Sequence, residues 1–511
     1  MAKKAKGKKL GKERKETPAA ETTCDLEGSP QAPPAISWAG ILDSVRSSRY
    51  LQILILLTLL GAFLRLFQLG TASLWLDEAS TLTFARESPA QIWGSLSAGE
   101  FNPPLFYWVE HAMLIFGESE VVLRLVPAVL GILTIPVFYF IGTEILDRNT
   151  GILAAALLAF SPFHIFYSQE ARAYAPMLFF FSIAFFFYLR FIRTWGRRDA
   201  ILFGIFSAIA FWTHFYAFVP ILALFIFALC LKGKEILRDL RTAIPLAIPA
   251  AIFVILSLPL IFYAVQLFAA RTGGAPAFGI QGLDTITETI IQISGFSDIL
   301  ACIFVALFII GVVALYRKDR VRSLLLVFTF TFPLLVSVLL SYRMPMVPRY
   351  LIYLLAAFFP GIALSLRPAC SLVKSKNLVY GALILALVVN LPVLYPYYTT
   401  QQKDDWRGAS QELKTLAAPG DLVIVLPAYV RQPLNFYYNN ASDGTLEVGL
   451  YQLPDIQGAI TANPGHSVWF VVTGDLYSTD PQRTVISWLN QHTTLAWKDT
   501  NGGILLLKYS G

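Results

Sequence analysis

The residues best suited to chemistry in this chain are two adjacent carboxylates, Asp77 and Glu78, in the run Leu74-Trp75-Leu76-Asp77-Glu78-Ala79-Ser80. They follow directly on a long apolar stretch, where a charge is expensive and its position therefore informative. Burial and a like-charged neighbour both raise the pKa of a carboxylate, and a carboxylate so raised suits a general base working near neutral pH. The plainer alternative is a pair of solvated carboxylates capping a helix from Ser80 onward. A second polar knot is Phe166-Tyr167-Ser168-Gln169-Glu170-Ala171-Arg172-Ala173-Tyr174, where Glu170 and Arg172 are spaced to pair and Tyr167 and Tyr174 to anchor at an interface. The third segment, Tyr342 to Tyr350, carries Arg343 and Arg349. Guanidinium groups there suit a phosphate through bidentate contacts, with snorkelling to headgroups as the plain alternative. His214, beside Thr213 and Tyr216, reads first as a structural hydrogen-bonder, and Asn102-Pro103-Pro104 as a loop leading into a helix. Arg65 and Arg124 are either anchors or members of a charge network with Asp77, Glu78 or Glu170.

Apolar helices must position these groups. A span needs about 20 apolar residues, and such runs fall near 51–69, 120–141, 151–167, 174–193, 243–268, 298–316, 322–342, 349–366 and 378–396. The run 200–231 is too long for one crossing and breaks at Thr213-His214, so it reads as two short helices. The total is then about 11 spans, and every basic cluster falls on one side. Those clusters are Arg190, Arg193, Arg197 and Arg198; Lys232, Lys234, Arg238 and Arg241; Arg317, Lys318, Arg320 and Arg322; and Arg367, Lys374 and Lys376. The positive-inside rule makes that side cytoplasmic. The acidic and arginine motifs occupy the opposite loops, 70–119, 168–174, 269–297 and 342–349. Within 70–119, Ser88 to Leu96 and Pro104 to Phe116 read as short interfacial helices, the second opening on proline. Trp75, Trp93 and Trp108 suit an interface belt.

Composition agrees with this picture. The 511 residues are 56% hydrophobic and only 14% charged, with a mean hydropathy of +0.60, against about 25% charged in a soluble domain. The fold class is a polytopic α-helical membrane protein. The net charge of +7 is no nucleic-acid signal, because much of it lies in residues 1–45, a basic stretch read as a disordered cytoplasmic tail. The four cysteines, Cys24, Cys230, Cys302 and Cys370, show neither metal-site nor disulfide-framework spacing. Residues 46–398 form the transmembrane domain, and 399–511 a small extracytoplasmic α/β domain. In the latter, Asp421–Leu426, Ser467–Val472 and Ile504–Lys508 are expected strands, and 406–417 and 482–491 expected helices.

From Arg65 through LWLDEAS (74–80), NPPLFYW (102–108), VLRLVPAVLG (122–131) and HIFYSQEARAYA (164–175), the sequence resembles the GT-C glycosyltransferases. Within them it is most similar to the branch of protein O-mannosyltransferases and bacterial aminoarabinose transferases. The resemblance covers residues from about 50 to 400, and KDDWRGAS (403–410) resembles the start of the outer domain of bacterial members. It implies a multi-pass plasma (inner) membrane enzyme with a cytoplasmic N-terminus and an extracytoplasmic C-terminus. Such an enzyme moves a hexosyl or pentosyl group from a polyprenyl-phosphate carrier to a protein, lipid or glycan acceptor, with inversion at the anomeric carbon. By position it implies Asp77 as general base or acceptor aligner and Glu78 as its partner. Glu170, Arg172 and Tyr174, with Asn102 and His214, would bind substrate, and Arg343, Arg349 and Tyr350 would lie near the carrier phosphate. No acidic cluster for an obligatory divalent metal stands out, and a metal bridging Asp77 or Glu78 and His214 stays open as a cofactor. A membrane transporter or lipid flippase is the alternative, and would call for an inverted repeat and ionisable groups near mid-membrane. A non-catalytic scaffold with a partner-binding outer domain is the third reading.

In a cysteine-free background, single cysteines at positions 77 and 198 should label differently with an impermeant maleimide in intact cells. Position 77 should react and position 198 should not; equal labelling would refute the topology.

Overall fold

The computed structural model describes residues 46–274, 276, 278–373, 375, 377–438, 444–498 and 502–509. The basic stretch 1–45, and Lys374 and Lys376 of the last basic cluster, lie outside the described residues. Helix α1 (Arg49–Leu66) is followed by three short helices, α2 (Leu76–Ala85), α3 (Pro89–Ser95) and α4 (Pro104–Met113). The last two are the short helices expected in the first long loop; Ser88 caps α3 and Pro104 opens α4. Next come α5 (Glu120–Ile145), α6 (Arg148–Ala159), α7 (Pro162–Ser168), α8 (Tyr174–Thr194), α9 (Arg197–Thr213), α10 (Phe218–Arg238) and α11 (Ile244–Arg271). After α12 (Asp284–Ile293), α13 (Asp298–Tyr316) and α14 (Arg320–Leu340), a 3₁₀ turn, Pro348–Leu354, leads into α15 (Leu355–Ala363), α16 (Leu366–Val373), α17 (Leu378–Val388) and α18 (Leu391–Thr399).

Among the described residues, nine helices are long and apolar enough to cross a membrane, or ten if the bent pair α6–α7 is one span. The sequence count of eleven is higher by α9. At seventeen residues, rising about 26 Å, α9 lies at the lower limit of the roughly 17–25 residues of a crossing helix. The break after α9 falls at His214, where the sequence placed it. The 60° bend between α6 and α7 has a local cause: Pro162 opens α7 and cannot donate a helical N–H. Small residues let helices approach closely. A Cβ added at Gly142 on α5 would lie 2.7 Å from Gly151 Cα on α6. Of the cysteines among the described residues, Cys230 and Cys302 are free thiols.

The C-terminal part contains α19 (Trp406–Leu416), α20 (Arg431–Tyr437), α21 (Leu453–Ala462), α22 (Leu476–Thr479) and α23 (Thr484–His492). Its sheet has the order β2-β1-β3-β5-β4, built from β1 (Leu422–Leu426), β2 (Leu446–Gly449), β3 (Val468–Val472), β4 (Thr493–Lys498) and β5 (Leu505–Tyr509). Strands β2 and β3 run parallel to β1, while β5 is antiparallel to β3 and β4 to β5. The three expected strands are β1, β3 and β5, the first two buried at every position. The two that sequence reading missed, β2 and β4, are the sheet edges, which need no continuous apolar run. One face of the sheet packs with Trp406, Leu413 and Leu434 against Leu76 of α2. The small domain is therefore seated on the helix that carries both carboxylates.

Candidate active site

Helix α2 begins at Leu76, so Asp77 and Glu78 occupy its first turn, where unpaired N–H groups favour negative charge. Successive helical residues point about 100° apart, and the two carboxylates accordingly separate. Glu78 turns inward and is fully buried. Arg124 of α5 clamps it, Nε donating to Oε1 and Nη2 to Oε2, each at 2.7 Å. Ala171 N donates to Oε1 and Lys403 Nζ to Oε2, both at 3.0 Å. Burial alone would raise the Glu78 pKa, but Arg124 and Lys403 outweigh it and hold it at about 2. The expectation of a raised carboxylate is thus corrected at Glu78: a group saturated with cationic donors is a strut and not a base. Arg124 also donates to the carbonyls of Leu69, Ala72 and Ser73, fixing the start of the first loop.

Asp77 turns the other way and keeps a quarter of its side chain exposed (26%). Arg349 Nη2 lies 3.6 Å from Asp77 Oδ2, and Arg349 Nε donates to the Tyr174 hydroxyl at 3.2 Å. The guanidinium lies over the rings of Trp75, Tyr174 and Tyr350, at 5.5, 5.8 and 5.8 Å. The alternative of two solvated carboxylates is not what forms. Arg172 Nη1 donates to Asp77 O at 3.3 Å and to Thr81 Oγ1 at 3.2 Å, so it braces α2 and does not pair with Glu170. The cause is a tight turn in which Arg172 N donates to Glu170 O at 2.7 Å. Glu170 Oε2 is left buried without a hydrogen-bond partner. Burial, with Glu78 and Asp77 close by, pushes Glu170 up to about 7 against the pull of Lys403. Tyr174 is buried and packs on Tyr167, so neither acts as a simple interfacial anchor.

His214 joins this cluster through its ring, 5.7 Å from Tyr174 and 5.5 Å from Tyr350. Its Nδ1 accepts from Tyr216 N at 3.2 Å, and its Nε2 is buried without a partner. Two predicted residues stay outside. Asn102 Nδ2 donates at 2.6 Å to Glu100 Oε1, which also accepts from the Tyr107 hydroxyl at 3.1 Å, so Asn102 closes its own loop. Arg343 is exposed on the turn after α14 and forms no ion pair or side-chain hydrogen bond among the described residues. Arg65 is likewise separate, donating to the carbonyls of Gly61, Leu158 and Ala159 and lying 2.6 Å from His164 Nδ1. Glu78 does not fit a metal bridge, because both its oxygens are taken by cations, and no group of three His, Cys, Asp or Glu is gathered to hold an ion among the described residues.

Sequence reasoning missed Lys403. It lies on the polar linker after α18, where a lysine carries no cost that would betray it, and only the KDDWRGAS run pointed there. Arg407 in the same run pairs with Glu120 at 2.5 Å, and Tyr437 donates to that carboxylate at 2.7 Å. The Tyr350 ring stacks on Tyr216 at 4.8 Å. Beyond Tyr216 runs an apolar groove of about 430 Å³, lined by Phe101, Phe215, Phe268, Leu340 and Met344 among others.

A bundle of apolar spans, with charged side chains converging at one end beneath a small α/β domain, defines the class: a polytopic helical membrane protein. Residues 102–262 match the family described as dolichyl-phosphate-mannose-protein mannosyltransferase. The fold is similar to that of ArnT from Cupriavidus metallidurans bound to undecaprenyl phosphate, with a TM-score of 0.58 and 12% identity over 90% of this chain and 98% of that one. It is also similar to the Archaeoglobus fulgidus oligosaccharyltransferase tethered with an acceptor peptide, with a TM-score of 0.51 and 12% identity over 92% of this chain and 75% of that one. The archaeal oligosaccharyltransferase AglB from Archaeoglobus fulgidus, in complex with an inhibitory peptide and a dolichol-phosphate, gives a TM-score of 0.50 at 12% identity, over 93% of this chain and 75% of that one. No curated protein matches this sequence significantly.

Because the folded pKa of Glu78 is depressed from 4.5 to about 2, its stabilisation is fully present above 4.5 and is lost as pH falls toward 2. The thermal unfolding midpoint of the purified protein should drop across that window. Arg124→Gln should lower the midpoint at neutral pH and flatten this acid dependence; an unchanged acid slope would show that the buried pair is not what acid breaks.

Proposed function

We propose that this chain is an inverting glycosyltransferase that moves a sugar from a polyprenyl-phosphate carrier to an acceptor on the non-cytoplasmic side of the membrane. The observation that carries this reading is the contact of Asp77 with Arg349, 272 positions apart in sequence and 3.6 Å apart in space, with the Tyr350 ring between Arg349 and Tyr216, which lines an apolar groove. A prenyl chain would lie in the groove, its phosphate reaching past Tyr216 and Tyr350 toward Arg349. The acceptor hydroxyl attacks the anomeric carbon as the bond from that carbon to the phosphate oxygen breaks. Asp77 aligns the acceptor and takes its proton. The electron pair leaves on the carrier phosphate, where Arg349, held over three aromatic rings, offsets the developing charge. Tyr174 orients Arg349, Arg172 fixes the first turn of α2, and His214 and Glu170 stand close by. Glu78 does no chemistry in this scheme; with Arg124 and Lys403 it sets the position of Asp77. The N-terminus is cytoplasmic and the C-terminal domain extracytoplasmic, in an inner (plasma) membrane, which puts every basic loop on the cytoplasmic side. Asn102 and Arg343 have no part in it.

Asp77→Asn should lower kcat by about 10² to 10⁴ with carrier affinity nearly unchanged, and Arg349→Lys should weaken carrier binding by losing the fork and the ring contacts. Near-normal turnover in Asp77→Asn, measured with a defined polyprenyl-phosphate sugar, would remove Asp77 as the base.

Glu170 adds a pH dependence. Its carboxyl is neutral below about 7 and anionic above, and an anion in that cavity repels the carrier phosphate. The kcat/KM should fall as pH rises through 7 in the parent enzyme and not in Glu170→Gln. A fall of the same size in the variant would assign the titration elsewhere.

A further inference from the structure

The three parallel strands β2, β1 and β3 end at one edge of the small domain, and the chain leaves each of them there. In open α/β sheets the crevice beyond the carboxyl ends of the strands is where ligands sit. That edge displays three aromatic side chains, Tyr429, Tyr451 and Tyr477, which are 37%, 49% and 58% exposed. One follows each parallel strand. The rings of Tyr429 and Tyr451 are 6.5 Å apart, and the Tyr429 hydroxyl meets Asp475 and Ser478, which brings the turn bearing Tyr477 alongside. A cavity of about 410 Å³ continues from Tyr451 between residues 452–454 and 479–485.

The cavity lining is mixed, and an exposed carboxylate, Asp475, stands beside Tyr429. Gln452, Thr479, Gln482 and Thr484 contribute amides and hydroxyls. Asp480 is the only charged residue on its walls, and its oxygens are taken by the backbone N–H groups of Thr484, Val485 and Ile486. At the end of β3, the buried Thr473 hydroxyl has no partner. Exposed, flat aromatic faces beside amides, hydroxyls and a carboxylate that accepts from hydroxyls and repels anions fit a ligand that carries no negative charge, is rich in hydroxyls and is apolar on its C–H faces. None of these residues belongs to the Asp77–Arg349 cluster.

We propose that the carboxyl edge of β1, β2 and β3 is a binding site for a neutral glycan, separate from the transfer site. Binding there needs no turnover, so it is tested independently of the proposed reaction. Full-length protein in detergent would be titrated with mannotetraose, chitotetraose and galactotetraose, followed by saturation-transfer NMR, with an uncharged Ala/Ser/Thr heptapeptide as control. At least one tetrasaccharide should bind. Tyr451→Ala and Tyr477→Ala should each weaken it by about five-fold or more, whereas Tyr451→Trp should keep it, guarding against a mere folding defect. Asp77→Asn should leave binding intact. Binding of none of the three sugars, equal binding of the peptide, persistence in the Tyr451→Ala/Tyr477→Ala double variant, or loss in Asp77→Asn would each overturn the proposal.

Discussion

A carboxylate with no exposed surface, Glu78, is clamped by an arginine from the second span and a lysine from the linker to the small domain. Four stretches of chain meet on its two oxygens: the start of α2, the outer part of α5, the turn before α8, and residue 403. Burying charge is costly, and removing one partner of such a pair costs about 3–5 kcal/mol, a large part of a typical total stability of about 5–15 kcal/mol. What the clamp supplies is register. It sets the height of α2 against α5 and ties the extramembrane domain to the same point. Arg407 with Glu120, and Tyr437 with Leu74 and Glu120, repeat that tie a few residues away.

The neighbour of this strut has the opposite character. One step along the helix turns Asp77 the other way, where its partner Arg349 is longer-ranged at 3.6 Å and both groups are about a quarter exposed. Such a pair can be parted by ligands at little cost, because partly solvated ion pairs are weak. The guanidinium does not depend on Asp77 for its place; Trp75, Tyr174 and Tyr350 hold it by their faces. A carboxylate and an arginine that are each fixed from behind and only loosely joined can separate to admit a ligand between them. The rigid Glu78 clamp and the adaptable Asp77 contact are two consequences of one helix turn.

Much of this was legible in the sequence because charge beside an apolar run is costly enough to be noticed. That reasoning found Asp77, Arg124, Glu170, Arg172 and Arg349, and it put the break of the long apolar run at His214. It could not divide Asp77 from Glu78, since adjacency says nothing about which carboxylate faces the interior until the first residue of α2 is fixed. Nor could it separate Arg343 from Arg349: one sits on an exposed turn, while the other opens a 3₁₀ turn packed under the aromatic rings. Lys403 went unseen because a lysine in a polar linker is unremarked until a buried acid is found opposite it. In the small domain the buried strands β1 and β3 declared themselves by continuous apolar runs, and the edge strands β2 and β4, half-open to solvent, did not.

The most direct measurement is a cryo-EM structure of the full chain with undecaprenyl phosphate. The phosphate is expected within hydrogen-bond reach of the Arg349 guanidinium, the prenyl chain along the groove lined by Phe215 and Phe268, and Asp77 freed toward the acceptor side. A phosphate held instead by Arg124 or Lys403, with Arg349 still against Asp77, would contradict the division of labour between the two carboxylates.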